Sequence, residues 1–395
     1  MGTPDGTARQ RAQRAVRRAL GRSVVAVERW WDGAVLARSA DRPPEHFRIA
    51  PFLGHGGPAG AVVRGRVLDD AEPPTAVRGE GTRAAVRRTV ARFLTRELPA
   101  VPLRVRLGAA DVETVSDDEG YVDLRLDAGL TPDDGPWAEG TVELARPWRG
   151  LTGAHPAVLR IRVPGPRAAF GVVSDVDDTV LHTGAQRAAE MVSRTLTGSA
   201  LTRTPMPGAP ELYRALAAGR SGDEDNPVFY VSSSPWNLHG FLTAFLEHRR
   251  IPIGPLLLRD LLGTGARRTH ASGKLASLAE VLDLHPHLRF VLLGDSGQHD
   301  PEIYAEAVRR HPGRVLAIYI REVRLDPGDG RVEKVTGAWD DDVPFVLAAD
   351  STAIARHAAE LGLIGAGDVA AVERAVAAER GGPPTREDHP DRRVP

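Results

Sequence analysis

Phe170-Gly171-Val172-Val173-Ser174-Asp175-Val176-Asp177-Asp178-Thr179 decides how this chain is read. Its first five residues form a short apolar run of the kind that becomes a buried strand. Asp175 and Asp177 follow at i, i+2, a spacing that puts both carboxylates on the same side of the backbone as it leaves the sheet. In an open parallel sheet, ligands bind at the carboxyl ends of the strands. The same residues also suit an Asp-rich turn that caps a helix, so the choice rests on the surrounding sequence.

Outward from this stretch, Val228-Phe229-Tyr230-Val231 is a second apolar run, ending at Ser232-Ser233-Ser234-Pro235-Trp236. Ser232 follows the strand directly; the alternative is a Ser/Pro turn before a helix over 236–248. Lys274 opens an apolar-periodic helix (Leu275, Leu278, Val281, Leu282), where a lone lysine also reads as a solvated surface residue. Leu288-Arg289-Phe290-Val291-Leu292-Leu293 then precedes Gly294-Asp295-Ser296-Gly297-Gln298-His299-Asp300. Glycine lets backbone approach a ligand closely, and Asp295 sits where a hard cation needs an oxygen ligand. Asp300 precedes Pro301 and reads as the N-cap of a helix beginning at that proline, with support of a metal shell as its other reading.

Four such stretches in this order, three of them at the ends of apolar strands, resemble the motif set of the haloacid dehalogenase superfamily. The resemblance implies that Asp175 attacks phosphorus to form an aspartyl-phosphate and that Asp177 moves the proton. Ser232 and Lys274 then hold phosphoryl oxygens, the lysine offsetting charge that grows in the transition state. Thr179 fixes the loop after the nucleophile, beside the substrate. Mg²⁺ is implied between the Asp175 carboxylate, the Asp177 backbone carbonyl and Asp295.

The flanking words narrow the resemblance. Ser233-Ser234-Pro235-Trp236-Asn237, Gly254-Pro255-Leu256-Leu257-Leu258-Arg259-Asp260, Asp300-Pro301-Glu302-Ile303-Tyr304 and Ala317-Ile318-Tyr319-Ile320-Arg321 closely resemble the actin-patch-type phosphatidate phosphatase catalytic domain, a lipin-like branch, over roughly 168–365. That implies removal of phosphate from phosphatidate to leave diacylglycerol. Trp236, Asn237 and Arg259, with His182, are the substrate-side candidates; Arg259 also reads as a partner of Asp260 or another acid. One departure stands out: the family commonly has His directly before the third-motif lysine, where this chain has Gly273, and His270 is the available substitute. Two other readings keep the same chemistry or fold: a phosphatase for a soluble phosphometabolite or phosphoprotein, and a non-catalytic phosphatidate-binding module. Modules of the latter kind typically lose an acid of the nucleophile motif, whereas Asp175 and Asp177 are both present here.

At 395 residues the chain has room for two domains, and its net charge of −1 gives no global pull toward nucleic acid. The absence of cysteine rules out disulfides and thiolate metal sites. No run approaches the ~20 apolar residues of a membrane span, and no signal-peptide core follows the N-terminal charges. The expectation is a cytoplasmic protein with reversible contact at an anionic membrane surface. Residues 1–44 read as a basic helix and linker: Arg9, Arg11, Arg14, Arg17, Arg18 and Arg22 precede the first acid at Glu28, and Trp30 and Trp31 end the helix. It suits a membrane surface or packing on the next domain. Over 45–167 the period becomes two, as in Leu103, Val105 and Leu107, then Val122, Leu124 and Leu126, then Leu159, Ile161 and Val163. This predicts an all-β antiparallel sandwich-like accessory domain, for docking, targeting, structure or scaffolding, interrupted by a helix bearing Val86, Val90, Phe93 and Leu94. Over 168–350, apolar runs near 170, 229, 256, 291 and 317 alternate with helices. They predict an α/β class, haloacid-dehalogenase-like doubly wound parallel sheet, with a small cap within 181–226. Residues 351–380 read as helical and 381–395 as a disordered tail.

Overall fold

The computed structural model describes residues 43–70, 96–176, 206–259, 270–296, 299–322, 337 and 339–380. The basic helix, the helix bearing Val86 and Phe93, most of the expected cap and the C-terminal tail lie outside these residues, as do Asp177, Thr179 and His182.

Eight strands form the first half: β1 (Phe47–Pro51), β2 (Gly54–Gly57), β3 (Gly60–Asp69), β4 (Pro102–Leu107), β5 (Ala110–Val115), β6 (Tyr121–Leu126), β7 (Trp137–Leu144) and β8 (Ala157–Arg162). The alternation noted in the sequence is real: in β4, Leu103, Val105 and Leu107 are buried while Arg104 and Arg106 turn outward. These residues, with Val142, Leu159, Ile161 and Val63, fill one core. The expected pair of stacked sheets is replaced by a single hydrogen-bonded path, β1-β3-β2-β8-β7-β4-β5, with β6 also on β3. Nor is it wholly antiparallel, because β2 runs parallel to β8. The cause is the length of β3. One of its edges takes β6, while the other takes β1 and β2 in succession as two halves of one interrupted strand. Between Pro51, opposite Gly65, and His55, opposite Val62, the register moves by one residue. That is a β-bulge, a device that re-aims side chains.

The second half is a six-stranded sheet in the order β11-β10-β9-β12-β13-β14, from β9 (Gly171–Asp175), β10 (Val228–Pro235), β11 (Leu256–Arg259), β12 (Phe290–Asp295), β13 (Val315–Arg321) and β14 (Phe345–Ala348). Every neighbouring pair is parallel. β9 and β12 are buried along their whole length, which is why they read as apolar runs rather than alternations. One face is covered by α1 (Ala209–Ala218), α2 (His239–His248), α5 (Ser351–Glu360) and α6 (Ala366–Arg380), around Tyr213, Phe245, Ile354 and Val372. The C-terminal helices, set apart in the sequence reading, thus share the core of the sheet. The other face takes α3 (His270–Leu284) and α4 (Asp300–Arg310), around Leu278, Val281, Leu282 and Tyr304. The chain winds one way from β9 to β11 and the other way from β12 to β14. The switch point lies between β9 and β12, where a doubly wound sheet opens its ligand crevice.

The two halves meet through side chains of unlike kind. Phe52, beside the bulge, stacks flat on Trp236 with ring centroids 5.1 Å apart and on His239 at 4.1 Å. Arg162 breaks the alternation of β8 because it is buried, donating from Nη2 to the backbone oxygen of Asp225 at 2.7 Å.

Candidate active site

β9 delivers Asp175 and β12 delivers Asp295 to the two sides of the switch point, and both side chains are fully buried. Lys274 enters from α3. Its Nζ lies 2.8 Å from Oδ1 of Asp175 and 2.5 Å from Oδ1 of Asp300. The lysine stands one turn inside its helix rather than at the first residue, since α3 begins at His270. Burial works against its charge, but the two carboxylates outweigh burial and hold its pKa above the usual lysine value. Asp300 is shifted upward as well: burial is the largest cause, Lys274 opposes it and the charge of Asp175 adds to it.

Asp300 is the main correction to the sequence reading. It is not an N-cap: α4 starts at Asp300 itself, with His299 in the cap position and no side-chain cap bond. Its carboxylate turns back into the site, pairing with Lys274 and accepting the Asp295 backbone N–H at 3.2 Å. Gly294 makes this approach possible. A Cβ there would lie 2.6 Å from Oδ2 of Asp300 and 2.8 Å from the ring of Tyr304. So the glycine opens space for an aspartate of the chain itself, where the sequence suggested space for a ligand. Tyr304, one turn into α4, donates its hydroxyl to the backbone oxygen of Leu293 at 2.8 Å and fixes that helix on β12. Behind the nucleophile position, Ser174 Oγ donates to the Asp175 backbone oxygen at 2.7 Å and meets the Tyr213 hydroxyl at 2.5 Å.

The other candidates divide. Ser232 is buried and lies one residue beyond Val231, the register partner of Asp175; its Oγ accepts the Ser234 N–H at 2.9 Å. Arg259 ends the edge strand β11 and is half-buried, two strands from β9 or ~10 Å across the sheet. Trp236, a substrate-side candidate, is half-buried: Phe52 stacks on its ring and the Arg64 guanidinium lies 5.8 Å from its centroid. Asn237 sits in the short turn Trp236–Leu238 between β10 and α2. Composition also marks Lys274. The chain has only two lysines, Lys274 and Lys334, among 51 basic residues. A lysine kept where arginine is the rule points to a place that needs a compact ammonium.

Asp175, Asp295 and Asp300 each offer a carboxylate oxygen, and the three oxygens lie within 4.8 Å of one another. An all-oxygen set suits a hard cation such as Mg²⁺ or Ca²⁺. Three buried carboxylates facing one buried ammonium also leave an excess of negative charge that a divalent cation would offset.

A family model described as the catalytic domain of phosphatidate phosphatase APP1 matches residues 170–322. The chain is 32% identical over 155 residues to phosphatidate phosphatase APP1 of Saccharomyces cerevisiae, a stretch covering 38% of this chain and 26% of that protein. It is 30% identical over 163 residues to an uncharacterised protein of Schizosaccharomyces pombe, covering 40% and 26%. The matches thus span about a quarter of the length of either curated relative. A carbohydrate acetylesterase from Xanthomonas citri aligns over 85% of this chain and 74% of its own, at a TM-score of 0.30 and 11% identity, too distant to bear on fold or chemistry. The matched stretch holds the whole carboxylate–lysine cluster, so it is over residues 170–322 that this chain is similar to the phosphatidate phosphatase APP1 catalytic domain.

Proposed function

We propose that this protein is a Mg²⁺-dependent phosphatase of haloacid-dehalogenase type that hydrolyses phosphatidate to diacylglycerol. One observation carries the reading: a buried aspartate at the switch point of a parallel sheet, 2.8 Å from a buried lysine. The strand order and the similarity to yeast phosphatidate phosphatase APP1 support it.

In this mechanism an Asp175 carboxylate oxygen attacks phosphorus in line. The new O–P bond forms as the bond to the glycerol oxygen breaks, and Asp177 gives that oxygen its proton. Asp177 then takes a proton from the water that hydrolyses the aspartyl-phosphate, releasing phosphate. Lys274 is held by two carboxylates, so its ammonium is already oriented before phosphoryl charge develops. Ser232 holds a phosphoryl oxygen with Lys274, Thr179 fixes the loop after the nucleophile, and Trp236, Asn237 and Arg259 are the candidates for substrate contact. Bound Mg²⁺, held by Asp175, Asp295 and the Asp177 carbonyl with Asp300 beside them, would offset the repulsion between carboxylate and phosphate dianion.

The test is phosphate release from phosphatidate in mixed micelles, beside a panel of soluble phosphate monoesters, with and without a chelator. Activity is expected to favour phosphatidate, to vanish on chelation and to vanish in Asp175→Asn. Activity in that variant equal to the parent would sink the mechanism, and preference for a soluble ester would move the substrate to a phosphometabolite or phosphoprotein. The protein is placed in the cytoplasm, reaching lipid by reversible contact, with each N-terminal arginine near an anionic surface contributing about 1 kcal/mol. Deleting residues 1–31 is expected to reduce co-sedimentation with phosphatidate vesicles at low salt. Unchanged co-sedimentation removes that segment from the account.

A further inference from the structure

A polar chain, buried at its two histidines and half-buried at Arg64 and Glu280, crosses from the β-rich half to the helix that carries Lys274. Arg64 on β3 grips Glu280 on α3 with two parallel bonds, Nη1 to Oε1 at 2.9 Å and Nη2 to Oε2 at 2.6 Å. Its Nε is held from behind by Asp123 on β6 at 3.1 Å. His55 on β2 reaches the same carboxylate through Nε2 at 3.3 Å, and its Nδ1 meets Nε2 of His285, just past the end of α3, at 3.1 Å. His55 and His285 are buried. The end of the helix is gripped from its own domain as well, because Arg314 donates to the backbone oxygens of Leu282, His285 and Leu288.

Such a chain needs close approach, and Gly54-His55-Gly56-Gly57 supplies it. A Cβ on Gly56 would meet Ala61 at 2.6 Å, and one on Gly54 would meet the Val62 carbonyl at 2.3 Å. Side chains at these positions would separate β2 from β3 and withdraw His55. The bulge at the same place aims the neighbouring Phe52 onto Trp236.

Glu280 lies six residues after Lys274, ~9 Å along the helix axis at ~1.5 Å per residue. A rigid helix gripped at Glu280 and His285 cannot slide or turn without moving the ammonium off Asp175 and Asp300. We propose that Arg64 and His55 are positioning residues for the active site, acting through Glu280 to fix the helix that presents Lys274. The β-rich half is then part of the catalytic framework, and its role deepens the phosphatase reading on which this inference rests.

The test uses the full chain with Arg64→Met, Glu280→Met and the gentler Arg64→Lys and Glu280→Gln. Arg162→Met serves as the control, since Arg162 is a still more deeply buried interface arginine whose hydrogen bonds go to Pro136 and Asp225 rather than to α3. Two readouts are taken. The first is kcat and KM for a soluble aryl phosphate. The second is acylation of Lys274 by an amine-reactive ester, mapped by mass spectrometry against the same protein unfolded in guanidinium. The Arg64 and Glu280 variants are expected to lose kcat about tenfold or more with KM nearly unchanged. Lys274 acylation should rise about tenfold as the helix loosens. The double variant should be no worse than the single ones, because both act through one contact. Arg162→Met should lower the melting temperature while leaving Lys274 protected. Lower melting temperatures in the Arg64 and Glu280 variants, with kcat kept and Lys274 still protected, would overturn the proposal and leave the contact a structural one. If the Met variants fail to fold, Arg64→Lys and Glu280→Gln decide by the same two readouts. A parent protein inactive on every ester would refute the phosphatase reading alone, because acylation still reports whether Arg64 fixes the helix.

Discussion

Asp300 shows how much one side chain depends on its surroundings. As an N-cap it would be replaceable by serine, with a loss of about 1 kcal/mol or less. As a second partner of Lys274 and the acceptor of the buried Asp295 N–H it is not, because the shorter serine would leave that backbone donor unsatisfied, at a cost of about 1–3 kcal/mol. Asp300→Ser is therefore expected to melt well below the parent and to lose phosphatase activity, with a raised Mg²⁺ requirement in whatever activity survives. A serine variant that keeps both melting temperature and rate would return Asp300 to the capping role. Denaturant titration beside a Mg²⁺ titration of rate separates the two.

At the scale of elements, the instructive case is α2, whose first residue His239 is buried against the ring of Phe52, with Trp236 beside it. Burial pushes its pKa down from 6.5 to about 4. The unfolded chain therefore takes up a proton as pH falls through 6.5, while the folded chain stays neutral until about 4. The element is fully stable above the unfolded value and loses up to about 3 kcal/mol as pH falls across that window. Burial lowers His55 and His285 in the same direction, so the three reinforce one another. Stability measured by urea titration is expected to drop between pH 6.5 and 4. His239→Phe, which keeps an aromatic ring on Phe52, should flatten part of that slope. An unchanged slope would show that the ring is reached by protons in the folded state.

For the molecule as a whole, the contacts between halves decide how it unfolds. Each half has its own apolar core. Yet Arg64–Glu280, His55–His285, Arg162–Asp225 and the Phe52–Trp236 stack would all be exposed if either half melted first. Leaving such buried polar partners unpaired is costly. Calorimetry is expected to show one transition with equal calorimetric and van't Hoff enthalpies. Two resolved transitions would mean that the halves are independent.

Much was readable from the chain alone. Apolar runs near 170, 229, 256, 291 and 317 became five of the six parallel strands, because a strand buried on both faces must be apolar throughout. The sixth, Phe345–Ala348, is as short as the edge strand β11 but more exposed, and leaves no such trace. Period-two alternation marked the β-rich half for the same local reason, and the order of motifs pointed to the family whose catalytic-domain model matches residues 170–322. What the sequence could not carry was pairing. Whether β1 and β2 share one edge of β3, whether Asp300 caps its helix or meets Lys274 across 26 residues, and which ring stacks on Trp236 depend on residues distant in the chain. Burial periodicity is a property of each segment and survives in its composition. Which segments touch is settled only when closure of the sheet brings them within a few ångströms, and in this protein that closure decided the surroundings of Lys274.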